Sequence, residues 1–200
     1  MSIVLLGSTS GSCTLQEQAV AGTSVLTLPV GTGTVVANNV NSAIVSGTAV
    51  ASTSGTSIDF TSIPSWVRRI TVMFSGVSTN GSSLQQIQLG TGSTTFVTSG
   101  YGGAATNFVS PSSLGTNSYT SGLVASLSGD SAATVNGQAV FTNISSNTWV
   151  GTLIAARADT GQSAIASTTI TLGATLTGIR ITTVNGTDTF DAGSINILYE

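Results

Sequence analysis

The apolar positions of this chain recur every second residue in short runs, and almost nowhere at helical spacing over the 11 or so residues a helix needs. Ile70, Val72 and Phe74 alternate with Thr71, Met73 and Ser75, Ile179 and Ile181 with Arg180 and Thr182, and Ile195, Ile197 and Tyr199 with Asn196, Leu198 and Glu200. Each run predicts a strand with one buried face. Residues 85–89, 122–127, 138–144, 148–155 and 168–172 are rich in side chains that suit a pleated surface and predict five more. Asn80-Gly81, Asn136-Gly137 and Asn185-Gly186 lie between apolar runs, where Asn-Gly offers the positive backbone angles of a tight hairpin. No crossover of helix length separates the strands, so the expected fold is all-β, an antiparallel sandwich of jelly-roll-like kind.

The first fifty residues read differently. Gly-Thr and Gly-Ser pairs dominate from Gly7 to Gly55, and large apolar residues are few after Pro29. The expected organisation is an extended Gly/Thr-rich arm over 1–50, a linker over 51–57 with the composition of a flexible connector, and the sandwich over 58–200.

Charge changes the picture further. Only 6% of residues are charged, against about a quarter in an ordinary soluble domain. Ser, Thr, Asn, Gln and 24 Gly supply the polarity. Such a surface has weak protection against self-association, which points to a homo-oligomer whose copies cover one another. The basic residues are Arg68, Arg69, Arg157 and Arg180, with no Lys or His, and the net charge is −3. That excludes a phosphate-binding basic patch, so no nucleic-acid partner is expected. No run of some 18 apolar residues is present, so no membrane insertion is expected. Residues 1–6 carry too short an apolar run, without a basic flank, for a secretory signal, which places synthesis and assembly in a cytoplasm.

Residues 7–36, GSTSGSCTLQEQAVAGTSVLTLPVGTGTVV, resemble segments repeated in tail-fibre and tail-associated proteins of tailed bacteriophages. Leu15, Val20, Val25, Leu26, Leu28 and Val35 would give its short apolar strands, and the Gly-Thr pairs its close turns. The resemblance implies a homotrimer, in which such segments wrap around each other. IDFTSIPSWVRRITVMFSGVS and GIRITTVNGTDTFDAGSINILYE, near the two ends of residues 58–200, resemble a β-rich terminal domain of viral fibres. That likeness implies pairing of a strand around 69–77 with one around 194–199, and a virion location with host contact.

Little here carries reaction chemistry. Triad hydrolases and most zinc hydrolases need His, and the single Cys13 can build neither an intrachain disulfide nor a Cys-based metal site. No cofactor or metal is expected. A glycosidase needs two carboxylates, and the closest pair, Asp188 and Asp191 in NGTDTFDAG, reads first as acceptors for turn amides. Arg68 and Arg69 are adjacent in a predicted strand and point to opposite faces, at least one of them toward a carboxylate. Trp149 lies in an apolar run and reads as core, whereas Trp66, beside Pro64, either packs or presents its ring. Residues 98–119 form a long Gly-rich stretch carrying Tyr101, Phe108 and Tyr119. It reads as a loop, either anchored by its aromatics or serving as a recognition surface. Tyr101, Phe108, Tyr119 and Trp66 are therefore the candidate contacts for a host surface glycan or protein.

The leading expectation is a non-enzymatic tail-fibre or tail-appendage subunit that binds other virion proteins through residues 1–50. The alternatives are a capsid decoration or head-fibre protein and, from a different class, a carbohydrate-active enzyme using Asp188 and Asp191.

Overall fold

A computed structural model describes residues 2–6, 12–16, 44–109, 113–125, 127, 129–157 and 159–200. The chain divides into two compact units, Met1–Ala37 and Asn38–Glu200. In the first, β1 (Ser2–Leu6) and β2 (Ser12–Gln16) pair antiparallel, Leu5 opposite Cys13. The remainder of the fibre-like segment, 7–11 and 17–36, lies outside the described residues.

The second unit is an all-β antiparallel sandwich. Its strands are β3 (Val45–Ser46), β4 (Val50–Ala51), β5 (Ser57–Thr61), β6 (Arg69–Thr79), β7 (Gln85–Gly90), β8 (Gly102–Val109), β9 (Ser113–Tyr119), β10 (Leu123–Val124), β11 (Val135–Ser145), β12 (Thr148–Arg157), β13 (Gln162–Thr171), β14 (Gly178–Thr183) and β15 (Phe190–Tyr199). The two sheets are unequal. Four strands run β10-β7-β14-β5, and nine run β3-β15-β6-β11-β12-β13-β8-β9 with β4 also on β15.

Period-two patterning builds the core. Ile70, Val72 and Phe74 of β6, Ala139 and Phe141 of β11, Trp149 and Leu153 of β12, and Ile195 and Ile197 of β15 face inward from the large sheet. Ile58 and Phe60, Ile87 and Leu89, and Ile179 and Ile181 do so from the small one. Burying each such side chain contributes about 1.5–3 kcal/mol. Trp149 is core, as its run implied. Arg157 ends the inner row of β12, buried, with its guanidinium bonded to Asp159 and 3.5 Å from Asp130. Those carboxylates hold its pKa above the ordinary guanidinium value, against the opposing effect of burial.

The pairing of the 69–77 and 194–199 segments is present, antiparallel, with Phe74 opposite Ile195 and Ile70 opposite Tyr199. The 51–57 segment is held on the sandwich. Ser52 donates its backbone N–H to Gly193 O at 2.9 Å and its hydroxyl to Ala192 O at 2.7 Å, while Phe190 N donates to Gly55 O at 2.8 Å. Together with β3 and β4, these bonds put residues expected to be arm and linker into the nine-stranded sheet, and the boundary between units falls earlier, at 37/38.

The three Asn-Gly pairs do not make hairpins between sheet neighbours. Asn80-Gly81 lies where the chain leaves β6 for β7 in the other sheet. Its glycine gives room to Asp188, whose carboxylate carbon would sit 2.2 Å from an added Cβ. Asn136-Gly137 lies inside β11 at a bulge, where Asn136 Oδ1 accepts from Gly76 N at 2.8 Å. Asn185-Gly186 does turn, with Gly186 N bonded to Thr183 O and a φ of 70°, but it too links one sheet to the other. A tight hairpin joins β11 to β12 instead, through Ser146 at a φ of 46°.

Candidate interaction surface

The stretch 98–119 is not a loop. Most of it is an antiparallel pair, β8 with β9, added to β13 at one margin of the large sheet. Gly103 is required there, because a Cβ would meet Ser167 O at 2.4 Å. Thr106 and Thr116 share a hydroxyl hydrogen bond of 3.1 Å across the pair.

This placement separates the four aromatic candidates. Tyr101 is 2% exposed and belongs to the core, so it is no surface contact. Its hydroxyl accepts from Leu89 N at 2.7 Å, tying the approach to β8 onto β7 of the other sheet. Burial pushes its pKa from 10 up to about 12, although the Leu89 N–H favours the phenolate. Trp66 is half-buried with its ring tilted on Tyr199 at 5.9 Å between centroids, and Tyr119 is half-buried against the core. Phe108 alone of the four is well exposed, at 40%. The four rings therefore do not form one recognition surface.

Removing the Tyr101 hydroxyl tests its structural role. Tyr101→Phe leaves Leu89 N–H without its acceptor and is expected to lower stability at neutral pH by about 1–3 kcal/mol. The raised folded pKa adds a signed effect. Stability linked to Tyr101 is complete below pH 10 and is lost as pH rises toward 12, by up to about 3 kcal/mol. Urea midpoints from pH 7 to 12 should fall more steeply in the native chain than in the variant.

Phe108 belongs to a larger feature, the outer face of the nine-stranded sheet. Registers place Asn196, Met73, Gln138, Ile154, Ile165, Thr106 and Thr116 in one row across seven strands. Ile154 and Ile165 are directly opposite each other and 62% and 52% exposed. The next row runs Ala156, Ser163, Phe108, Leu114, with Leu114 70% exposed. On the other side run Leu198, Thr71, Val140, Thr152, Ser167, Ala104 and Ser118. No charged residue stands in these three rows. Arg69, one row further out, pairs with Glu200 at 3.1 Å, and Arg68 donates to the carbonyls of Ser65 and Val67. The face can bury apolar and hydroxyl surface against a partner without removing a charge from water.

The sequence carried one signal for this face. β12 and β13 have apolar residues in both phases of the alternation, Leu153 with Ile154 and Ala164 with Ile165, which is the mark of strands covered on both sides.

Asp188 accepts from Ser83 N at 2.9 Å and from Asn185 Nδ2 at 2.6 Å. It fastens the 183–188 turn to the start of the segment before β7, the turn-amide role read from the sequence. Asp191 is exposed on β15. Compared with protein-family models, curated proteins and solved structures, the chain shows no match.

Proposed function

We propose that this chain is a non-enzymatic structural subunit of a tailed-bacteriophage particle, a tail-fibre or tail-appendage component that associates with its own copies as a trimer. The N-terminal arm attaches it to other virion proteins, and the sandwich is carried outward. The observation that supports this reading best is the uncharged outer face of the nine-stranded sheet, with Ile154, Ile165, Phe108 and Leu114 exposed on it. A free monomer gains nothing from such a face, while identical neighbours bury it at little desolvation cost. The fibre-like segment at 7–36 supports the virion assignment.

Light scattering on the purified full chain is the first test, and the expected mass is three times 19.8 kDa. A monomer at all concentrations contradicts the reading. Gold-labelled antibody on intact particles then tests location. Label on the tail supports the fibre assignment, and label over the head moves it to capsid decoration.

A further inference from the structure

We infer that the outer side of the four-stranded sheet is a binding groove for a neutral, hydroxyl-rich ligand, a carbohydrate. The groove's chemistry is independent of the virion assignment and lies in a different sheet from the apolar face.

Its floor follows from the strand registers. Gln88, Arg180 and Asp59 form one row across β7, β14 and β5, and Gln86, Thr182 and Ser57 form the next. These are the outward positions of the strands, the counterpart of the inward row Ile87, Ile181, Ile58. Outward residues of a surface sheet are ordinarily open to water, yet Gln86, Gln88 and Thr182 are buried. The floor is recessed because Thr98, Ser121 and Asn185 stand around it, and the open groove takes in about 690 Å³ including the solvent space at its mouth. Gly122 runs beside β7 so closely that a Cβ would meet Ile87 O at 2.7 Å.

The polar groups of the floor are held in place. Gln86 Nε2 donates to Thr183 O at 3.1 Å, and Gln86 Oε1 accepts from the Ser121 hydroxyl at 2.9 Å. Gln88 Nε2 donates to Ser121 O at 2.9 Å, which leaves Gln88 Oε1 with no side-chain hydrogen bond among the described residues. Arg180 is fixed from two directions. Its Nε and Nη2 reach Asp59 at 2.8 and 2.7 Å, and its guanidinium carbon lies 4.3 Å from the centre of the Phe96 ring. The Asp59 bonds hold its pKa above the ordinary value. The pair uses only one side of the guanidinium, so Nη1 keeps its donors for a ligand.

The charge balance selects the ligand class. Arg180 is neutralised by Asp59, so an anion meets no net positive charge and a cation no net negative one. An apolar ligand would strip water from amides and hydroxyls and return no hydrogen bonds. A sugar meets this lining on equal terms, since each hydroxyl both donates and accepts.

The test is a printed array of neutral and acidic oligosaccharides probed with the purified full chain, followed by titration of the best-retained member. The expected result is retention of neutral glycans only, weakened at least tenfold by Gln88→Leu and by Thr98→Trp. Thr98 is exposed at the mouth, so its indole bars entry without disturbing the core, and an unchanged melting temperature checks this. If Gln88→Leu fails to fold, Thr98→Trp alone decides. Retention of acidic glycans alone, no retention at all, or a neutral glycan held equally by Thr98→Trp overturns the proposal.

Discussion

Ile165→Asp is expected to leave the chain folded and to turn the assembly into monomers. Ile165 sits at the middle of the outer row of the nine-stranded sheet, opposite Ile154 on one side and Thr106 on the other. In the separate chain its side chain is already in water, so the carboxylate costs little more than the lower strand preference of Asp, within about 1 kcal/mol. In the proposed trimer the same carboxylate would be buried against a neighbouring copy, with no cation in the three rows of its own face to pair with it. An unpaired buried charge costs several kcal/mol, so dissociation should strengthen by about a hundredfold or more. The light-scattering mass should fall to that of one chain, 19.8 kDa, while the chain still unfolds cooperatively in urea. Ile154→Asp should behave alike, but the two are best made separately, because opposed carboxylates would repel within one chain. Ile165→Thr is the control. It shortens the side chain without adding charge and should weaken association by no more than about tenfold. An Ile165→Asp chain that keeps the native mass removes this face from any interface.

The sandwich was legible where β-branched residues alternate with polar ones. β6 and β15 each contain such a run and hide one phase of it, so the burial pattern restates the sequence pattern, whereas β14 buries Thr182 as well as Ile179 and Ile181. β8 and β9 were not legible, because GGAATNFV and SLGTNSY hold mostly Gly, Ala, Ser and Asn, weak strand formers that read as loop. They become strands through tertiary pairing, β8 on β13 and β9 on β8. The Asn-Gly pairs misled for a related reason. A turn signal is local, while Asn136-Gly137 serves a neighbouring strand's bulge and Asn80-Gly81 makes room for Asp188. Tyr101 could not be told from Phe108 by composition, since what buries it is the approach of Leu89 from the other sheet. The two candidate surfaces are the least legible features of all. The apolar face collects residues from positions 71 to 198, and the groove collects them from positions 57 to 185. Each depends on registers that no short window of sequence contains.

The pairing of β15 with β6 shifts register twice, and the second large effect is expected there. Gly193→Ala should destabilise the chain by about 3 kcal/mol or more, whereas Gly76→Ala should cost only about 1–2 kcal/mol. β15 shifts register twice between Phe190 and Ser194, and Gly193 has a φ of 92°. Its missing Cβ leaves room for β6, because a Cβ there would lie 2.4 Å from Gly76 O, 2.5 Å from Gly76 C and 2.6 Å from Val77 N. All three are backbone atoms of a strand bonded on both sides, so no flexible side chain can move aside. The substituted chain must break ladder bonds or displace β6, and it carries the cost of the left-handed angle as well. Gly76, with a φ of 61°, faces open space, so Ala meets only the angle penalty of roughly 1–2 kcal/mol. The contrast separates crowding from backbone strain, and urea unfolding of the two variants reads it directly. Gly193 O also accepts from Ser52 N, and Ser52 Oγ is bonded to Ala192 O. The same Gly193→Ala change should therefore loosen residues 50–55 from the sandwich and expose the Ser52 amide to hydrogen exchange, while Gly76→Ala leaves that amide protected.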